Sequence, residues 1–216
     1  MCGRYGYTNA DREKVKKRFR LKDIPFELVP RYNITPGEDV PVVLNEDPQE
    51  LTMVRWGLVP FWAKEEKIGY KMINARAETV FEKPAYRRSI KHKRCLILVD
   101  HFFEWKQTPE GKKPFCMRMK DEGTFTLAGL WDVWQEKVKT CSIITTEPNR
   151  LMKSIHDRMP VILRPEDEES WLQENDPQKL VAFLKPFDPE SMQAQEVSRL
   201  VNSPANKGKE IIEPVV

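Results

Sequence analysis

A chain of 216 residues with 40% hydrophobic and 32% charged residues is long enough for one domain with a sizeable core, and its composition excludes global disorder. The net charge of +3, from 36 basic and 33 acidic residues, does not by itself indicate a nucleic-acid-binding protein. Because no apolar run reaches the length of a membrane span and the polar start lacks the apolar stretch of a signal peptide, we expect a cytoplasmic protein with no membrane partner.

Patterns in the first half of the chain predict a helix, a hairpin and a loop. Apolar residues four positions apart predict a short helix over residues 10–20. Two apolar runs, 40–44 and 51–56, flank the polar turn NEDPQE and predict a β-hairpin. The segment RWGLVPFWAK at 55–64 contains glycine and proline, which predict an irregular aromatic loop.

The second half predicts more strands and several short helices. CLILVD, at 95–100, has the length and apolar character of a buried strand, and FCMRM, TFTLAGLWDVW and CSIITT predict further strands. Thr145 or Thr146 is the expected cap of the second helix of this half. The predicted helices, of which the first has Pro84 in its first turn, cover residues 83–91, 147–156, 165–173 and 177–184.

These elements together predict the fold class. Short strands and helices alternate without a βαβ rhythm, which favours an α+β domain with a largely antiparallel, barrel-like sheet core and peripheral short helices. We expect this domain to cover residues 1–204 and residues 205–216 to form a flexible tail.

The charged residues and the cysteines are unevenly placed. Basic residues concentrate at 12–22 and 83–94 and acidic residues at 165–170, which favours a positive face, although solvated helix surfaces explain each run taken alone. Wide spacing of the cysteines, with no CxxC pair, argues against a disulfide framework and a structural zinc site, so we expect no metal and no other cofactor. The four cysteines are Cys2, Cys95, Cys116 and Cys141.

Cys2 is the most informative residue because it follows the initiator methionine directly. Methionine is normally removed ahead of a small residue, so we expect the mature chain to begin with Cys2. Its α-amine would have a pKa of about 7.7–8.0 and would be partly neutral at neutral pH. An amine and a thiol on adjacent carbons can attack one aldehyde to form a Schiff base and then a thiazolidine. On position alone, an inert second residue is the simpler explanation.

Three further segments carry polar groups that a fold alone does not require: NARAET at 74–79, HFFEWK at 101–106 and HDRMP at 156–160. On a continuous strand Glu104 would face away from its aromatic neighbours, and burial there would raise its pKa towards that of a general acid. Each segment also has a structural explanation. Glu104 would be an edge-strand surface residue, His156 a helix C-terminal residue and Asn74 a helix N-cap.

The combination of segments is more specific than any one of them. MCGRY, YNITPG, RWGLVPFWA, NARAET, FFEWK and HDRMP occur in this order between residue 2 and about residue 163, with VSRLVN following near residue 200. They resemble the signature blocks of the SRAP family, the SOS response-associated peptidases, whose members process abasic sites in single-stranded DNA. The resemblance implies binding to single-stranded DNA with abasic sites, with replication-fork partners unknown, and nothing in the sequence demands more than a monomer. In a bacterium it would be cytoplasmic and nucleoid-associated.

The resemblance also implies residue roles. Cys2 would crosslink to the ring-opened abasic deoxyribose through a thiazolidine and so shield the lesion, with residual lyase and autoproteolytic activity. Asn74 would position the amine or the sugar, Glu104 would assist ring opening and proton transfer, and His156 would assist Schiff-base chemistry. Thr145 is a weaker candidate for the wall of the site. The DNA-binding residues implied are three phosphate-contacting arginines and two base-holding tryptophans: Arg4, Arg76, Arg158, Trp62 and Trp105.

Two departures and two alternatives accompany this resemblance. His101 stands where relatives usually have glycine and would be an additional titrating group, and Thr35 replaces a small residue before Pro-Gly. One alternative function is an N-terminal cysteine peptidase, with the Cys2 thiol as nucleophile and His156 or Glu104 as base. The other is a non-covalent single-stranded DNA-binding module, in which arginines and tryptophans act alone.

Overall fold

The structure is a computed structural model that describes residues 2–215. Removal of the initiator methionine and the last residue of the expected tail therefore lie outside the described residues. The strands are β1 Tyr5–Tyr7, β2 Arg31–Ile34, β3 Asp39–Leu44, β4 Leu51–Trp56, β5 Asn74–Arg76, β6 Arg94–Val99, β7 His101–Thr108, β8 Gly111–Met119, β9 Phe125–Trp134, β10 Val138–Thr146, β11 Met159–Pro160, β12 Ile162–Leu163 and β13 Met192–Glu196. The α-helices are α1 Arg12–Phe19, α2 Ser89–His92, α3 Arg150–Lys153, α4 Glu168–Gln173 and α5 Pro177–Val181.

Five strands close into a barrel. β10 pairs with β4, β4 with β3, β3 with β6, β6 with β9, and β9 returns to β10. These pairings are antiparallel except β10 with β4, which is parallel, as is the pairing of β5 with β10. Every residue of β6 is buried, as expected for a strand with packing on both faces. The predicted α+β class with a largely antiparallel, barrel-like core is confirmed.

A second sheet carries the amino terminus. Its strand order is β13-β8-β7-β1-β2, so the short first strand lies in the interior of the sheet, between β7 and β2. Tyr5 is paired with Phe102, and the backbone N–H of Phe103 donates to the Arg4 carbonyl at 2.9 Å. This register places the residues that precede β1 beside the middle of β7, where Glu104 lies.

Most predicted elements are confirmed, with differences in helix length. α1 forms with Val15 and Phe19 buried, and β3 and β4 form the predicted hairpin. The helix predicted over 83–91 is shortened to α2. The preceding residues form separate turns, since Pro84 has no N–H to continue the hydrogen-bonding series between them.

The helix predicted over 147–156 is also wrong in its length and its cap. Only α3 is helical, and Asn149 caps it by accepting from the Met152 N–H at 2.9 Å. Thr145 and Thr146 do not cap α3, because they end strand β10 and pair with β11. His156 therefore follows the helix rather than ending it.

Residues 205–215, for which the sequence predicts a flexible tail, are mostly exposed but contact the domain at several points. Ile211 is fully buried against Phe103 and Val197, and Val197 forms a β-bridge with Pro214. The Asn33 amide donates to the Asn206 carbonyl at 2.7 Å. A single buried isoleucine and side-chain hydrogen bonds to backbone leave no periodic signal in a charged segment, which explains why the sequence predicts a tail.

His101 fills space over a glycine. A Cβ at Gly6 would lie 2.2 Å from the His101 ring atoms Cε1 and Nε2, and 2.9 Å from the Arg31 carbonyl oxygen. His101 donates from Nε2 to the Tyr32 carbonyl at 2.9 Å, and burial lowers its pKa to about 4. The imidazole is therefore neutral near pH 7, so His101 is not an additional titrating group there.

This contact predicts a coupled pair of substitutions. Gly6→Ala is expected to destabilise the fold by about 1–3 kcal/mol, the usual cost of overpacking. His101→Gly in the same chain should recover part of that loss, because the contact with the Arg31 carbonyl remains. Urea unfolding of the two single variants and the double variant measures the coupling free energy. If the changes in the free energy of unfolding of the two single variants simply add in the double variant, the contact between residue 6 and His101 is contradicted.

The four cysteines are all free and buried. Between residues 2 and 215, no group of three or more metal-binding side chains is close enough to hold an ion. None of the helices in the same range combines the length and apolar character needed to cross a bilayer.

Candidate active site around Cys2

Cys2 lies inside the protein, shortly before β1 and beside Asn74 of β5 and Glu104 of β7. Its exposed fraction is 0%, and it is part of the main hydrophobic core. Burial raises the pKa of its thiol far above the ordinary value; the negative charge of Glu104 acts in the same direction, and the Arg4 backbone N–H acts against it. The thiol is therefore neutral in this state.

Asn74 holds the backbone of Cys2. Its Nδ2 donates to the Cys2 carbonyl oxygen at 2.9 Å. The backbone carbonyl of Asn74 accepts from the Tyr86 hydroxyl at 3.1 Å. Asn74 begins β5, whose parallel pairing with β10 fixes its position. It is not a helix N-cap, because Arg76 takes that position in the following 3-10 helix, Ala77–Thr79. The Asn74 Oδ1 is buried and accepts no hydrogen bond within the described chain, so one buried acceptor remains for a ligand.

Glu104 is a buried carboxyl group on β7. Its exposed fraction is 2%, so the edge-strand surface explanation is wrong. Burial raises its pKa from 4.5 to about 7. Such a group is half protonated at neutral pH and can both give and accept a proton there.

His156 lies beside Glu104. Its Nε2 is 3.7 Å from Glu104 Oε2. Its Nδ1 accepts from the Arg158 backbone N–H at 3.0 Å, which assigns the neutral-ring proton to Nε2, on the side of Glu104. An Asp157 carboxylate oxygen is 2.9 Å from the same Nδ1 and favours the charged ring instead, but the Asp157 side chain is 87% exposed and screened by water. Burial is the largest effect and lowers the His156 pKa, so we assign the neutral ring near pH 7.

Two of the three predicted arginines are engaged within the protein. Arg158 makes a two-pronged ion pair with Glu78, at 2.5 and 2.9 Å, and donates to the Thr145 carbonyl at 2.7 Å. Arg4 donates to the Asn33 side chain at 2.9 Å and to the Val201 carbonyl at 2.7 Å.

The remaining predicted DNA contacts are placed differently. Arg76 and Trp62 are exposed, the tryptophan by 50% of its surface. Trp105 is partly buried, with its indole N–H bonded to Asn202 Oδ1 at 2.7 Å and the Arg4 guanidinium 5.9 Å from its ring centre. Trp105 is thus a fixed aromatic surface, whereas Trp62 faces solvent.

An open groove of about 680 Å³ gives solvent access to Glu104 and His156, whereas Cys2 and Asn74 are not among the residues that line it. Its walls contain the acid and base candidates together with aromatic and polar residues of β7, β8 and the carboxyl-terminal region: Glu104, Trp105, Gln107, Lys112, Ile155, His156, Asp157 and Asn202. A polar ligand can therefore reach Glu104 and His156 without passing through the core.

Sequence reasoning missed several residues that shape the site. Glu78 and Asp157 lie inside the NARAET and HDRMP segments, and Asn33 lies inside YNITPG, so their motifs were the available signal. Asn202 lies in VSRLVN, the segment of weaker similarity. Tyr86, which donates to Asn74, had no sequence signal.

Known proteins resemble this chain over most or all of its length. A protein of Bacillus subtilis named abasic site processing protein YoqW is 44% identical over 223 residues, covering 99% of each chain. The abasic site processing protein HMCES of Xenopus tropicalis is 32% identical over 225 residues, covering 87% of this chain and 67% of its own. A crystal structure of a protein from Bacteroides thetaiotaomicron superposes with a TM-score of 0.90 at 32% identity over the whole of both chains. The family model for SOS response associated peptidase (SRAP) matches residues 1–204, and the chain therefore belongs to the SRAP family.

Proposed function

We propose that this protein processes abasic sites in single-stranded DNA and that Cys2 becomes covalently linked to the lesion. Family membership and the names of the relatives support the processing role. The observation that carries the covalent step is the placement of Cys2, bonded to Asn74 and beside the buried Glu104–His156 pair. This arrangement surrounds the first residue of the mature chain with a hydrogen-bond acceptor, a proton donor and a base.

The proposed chemistry begins with ring opening. An abasic deoxyribose exposes its aldehyde only after the hemiacetal opens, which requires a proton to leave the hydroxyl on C1′ and another to reach the ring oxygen. Glu104 has a pKa of about 7 and can carry out both transfers. The neutral His156 ring beside it supplies a second proton-transfer group.

Capture of the aldehyde follows in two bond-forming steps. The Cys2 amine adds to the aldehyde carbon and water leaves, which forms an imine. The Cys2 sulfur then adds to the imine carbon while its proton moves to nitrogen, which closes the thiazolidine. The overall change is loss of one water, with no oxidant or reductant. Asn74, whose Nδ2 holds the Cys2 carbonyl, would bind an N–H of the amine through its buried acceptor Oδ1.

The neutral thiol supports the order of these steps. Burial keeps the thiol protonated, so a thiolate is scarce at the start. A cysteine peptidase requires that thiolate as its first nucleophile. We therefore favour initial attack by the amine over the peptidase alternative.

We propose that the DNA backbone and bases are held around this pocket. Arg76 is exposed, so that a phosphate can reach it, and Trp62 presents half of its surface for stacking, which contributes about 1–3 kcal/mol per base. Arg4 and Arg158 contact phosphate only if they exchange or share their present partners. In their present state they fix the segments that carry Cys2 and His156.

Intact-mass measurement tests the covalent proposal. The protein is incubated with a single-stranded oligonucleotide that contains one abasic site, then denatured. The expected adduct has the mass of the protein beginning at Cys2 plus the oligonucleotide minus one water. A tetrahydrofuran analogue, which has no aldehyde, is the matched control and should give no adduct. Reversible binding of both strands without any adduct would instead support the non-covalent module.

A further inference from the structure

The groove beside the acid–base pair has two sides of different charge. Asp157 lies on the His156 side, with its carboxylate exposed. Lys112 is the cation among the groove-lining residues and lies on the Trp105 side. An anion that enters the groove is therefore drawn towards Lys112 and away from Asp157.

Lys112 is available for a ligand. It is exposed, and within residues 2–215 it makes no ion pair with a carboxylate. It lies opposite Gln107 in the β7–β8 pairing, two residues along β7 from Trp105. Residues directly opposite each other on paired strands share a face, so Lys112 and Gln107 lie on one side of the sheet. Residues two apart on one strand also share a face, so Trp105 lies on that side too.

Trp105 is fixed before any ligand arrives. The bond from its indole N–H to Asn202 sets the ring orientation, and the ring forms part of the groove wall. A fixed aromatic surface with an unpaired lysine on the same face matches one nucleotide, with its base on the ring and its phosphate on the ammonium group.

We infer that Lys112 contacts the phosphate of the nucleotide adjacent to the abasic sugar, with the base of that nucleotide on Trp105, for which the family resemblance already implies a base-holding role. The inference rests on the proposed function, because it assumes a single DNA strand at the Glu104–His156 pair. Lys112 is a binding residue in this arrangement and does not take part in proton transfer.

The chain offers a matched control one residue away. Lys113 lies on the opposite face of β8 and pairs with Glu196 at 3.6 Å. Lys112→Gln and Lys113→Gln remove the same charge from adjacent positions, so a general loss of positive charge affects both variants equally.

The test measures reversible binding to a single strand with a tetrahydrofuran site, which cannot crosslink, by fluorescence anisotropy over a range of salt concentrations. Lys112→Gln is expected to weaken binding by about three- to tenfold and to reduce the slope of log affinity against log salt by about 0.7, the value for one phosphate on single-stranded DNA. Lys113→Gln should leave the slope unchanged. Equal slopes for the two variants would overturn the inference.

Two further measurements separate the outcomes. The crosslinking rate of Lys112→Gln is also measured at saturating abasic DNA, where weaker binding no longer limits it. A slower saturated rate with unchanged affinity would show that Lys112 acts through His156, whose pKa its charge helps to lower, and would overturn the inference. If the unmodified protein binds no single strand at all, the proposed function fails together with the inference. If it binds and only the difference between the two variants is absent, the proposed function stands.

Discussion

Replacing Cys2 by alanine is expected to abolish the denaturation-resistant adduct with abasic DNA. Alanine is also a small second residue, so the methionine is still removed and an α-amine is still present. The variant can therefore form the imine but cannot close the thiazolidine. Borohydride, which reduces imines to stable amines, should trap the variant on DNA, although no adduct survives denaturation without it.

The same variant should increase strand cleavage. An imine withdraws electrons from the sugar and permits β-elimination, whereas the thiazolidine removes the imine. Gel analysis of the oligonucleotide with and without borohydride measures both effects. Cys95→Ala, in barrel strand β6, is the control for loss of a buried thiol. An adduct that persists in Cys2→Ala and disappears in Cys95→Ala would contradict the assignment.

Replacing Glu104 by glutamine is expected to slow crosslinking by about 100- to 10,000-fold, the usual contribution of a general acid–base group. Glutamine keeps the shape and burial of the side chain but cannot exchange a proton. The unmodified protein should show an inflection in its rate near pH 7, the pKa of the buried carboxyl group, and the variant should lack it. Single-turnover rates at saturating DNA between pH 5 and pH 9 test this, and a variant with an unchanged rate would exclude Glu104 from the chemistry.

Glu104 should also influence stability, with a sign opposite to that of most carboxylates. Burial raises its folded-state pKa from 4.5 to about 7, so the folded chain binds this proton more tightly than the unfolded chain. The contribution of Glu104 to the free energy of unfolding is fully present below about pH 4.5 and is lost as the pH rises through about 7. This loss amounts to about 3 kcal/mol. Urea unfolding at pH 5 and pH 8 should show a larger loss for the unmodified protein than for Glu104→Gln. Equal pH dependence would show that the carboxyl group is not buried as described.

Much of the fold was predictable because local patterns were strong. The apolar run of β6 and the hairpin of β3 and β4 are confirmed at nearly the expected boundaries. The strand pairing that closes the barrel could not be predicted from the sequence, because β10 pairs in parallel with β4, a strand far away in the chain. No local pattern specifies such a pairing.

The site was predictable as a set of residues but not as a set of contacts. The motifs identified Cys2, Asn74, Glu104 and His156, and the structure brings them together. The motifs did not show that Arg158 binds the Glu78 carboxylate. A carboxylate and a phosphate both offer paired oxygens to a guanidinium group, so sequence cannot distinguish the two partners.

The burial of Cys2 has a consequence for biosynthesis. Strand β1 has no β7 to pair with until the ribosome has made half of the chain, and Arg4 meets the Val201 carbonyl across 197 sequence positions. An aminopeptidase needs an extended terminus, which the nascent chain offers, whereas Cys2 is buried in the finished fold. We expect methionine excision to precede folding, so that molecules which escape it during translation keep the Cys2 nitrogen in a peptide bond and do not form the proposed imine.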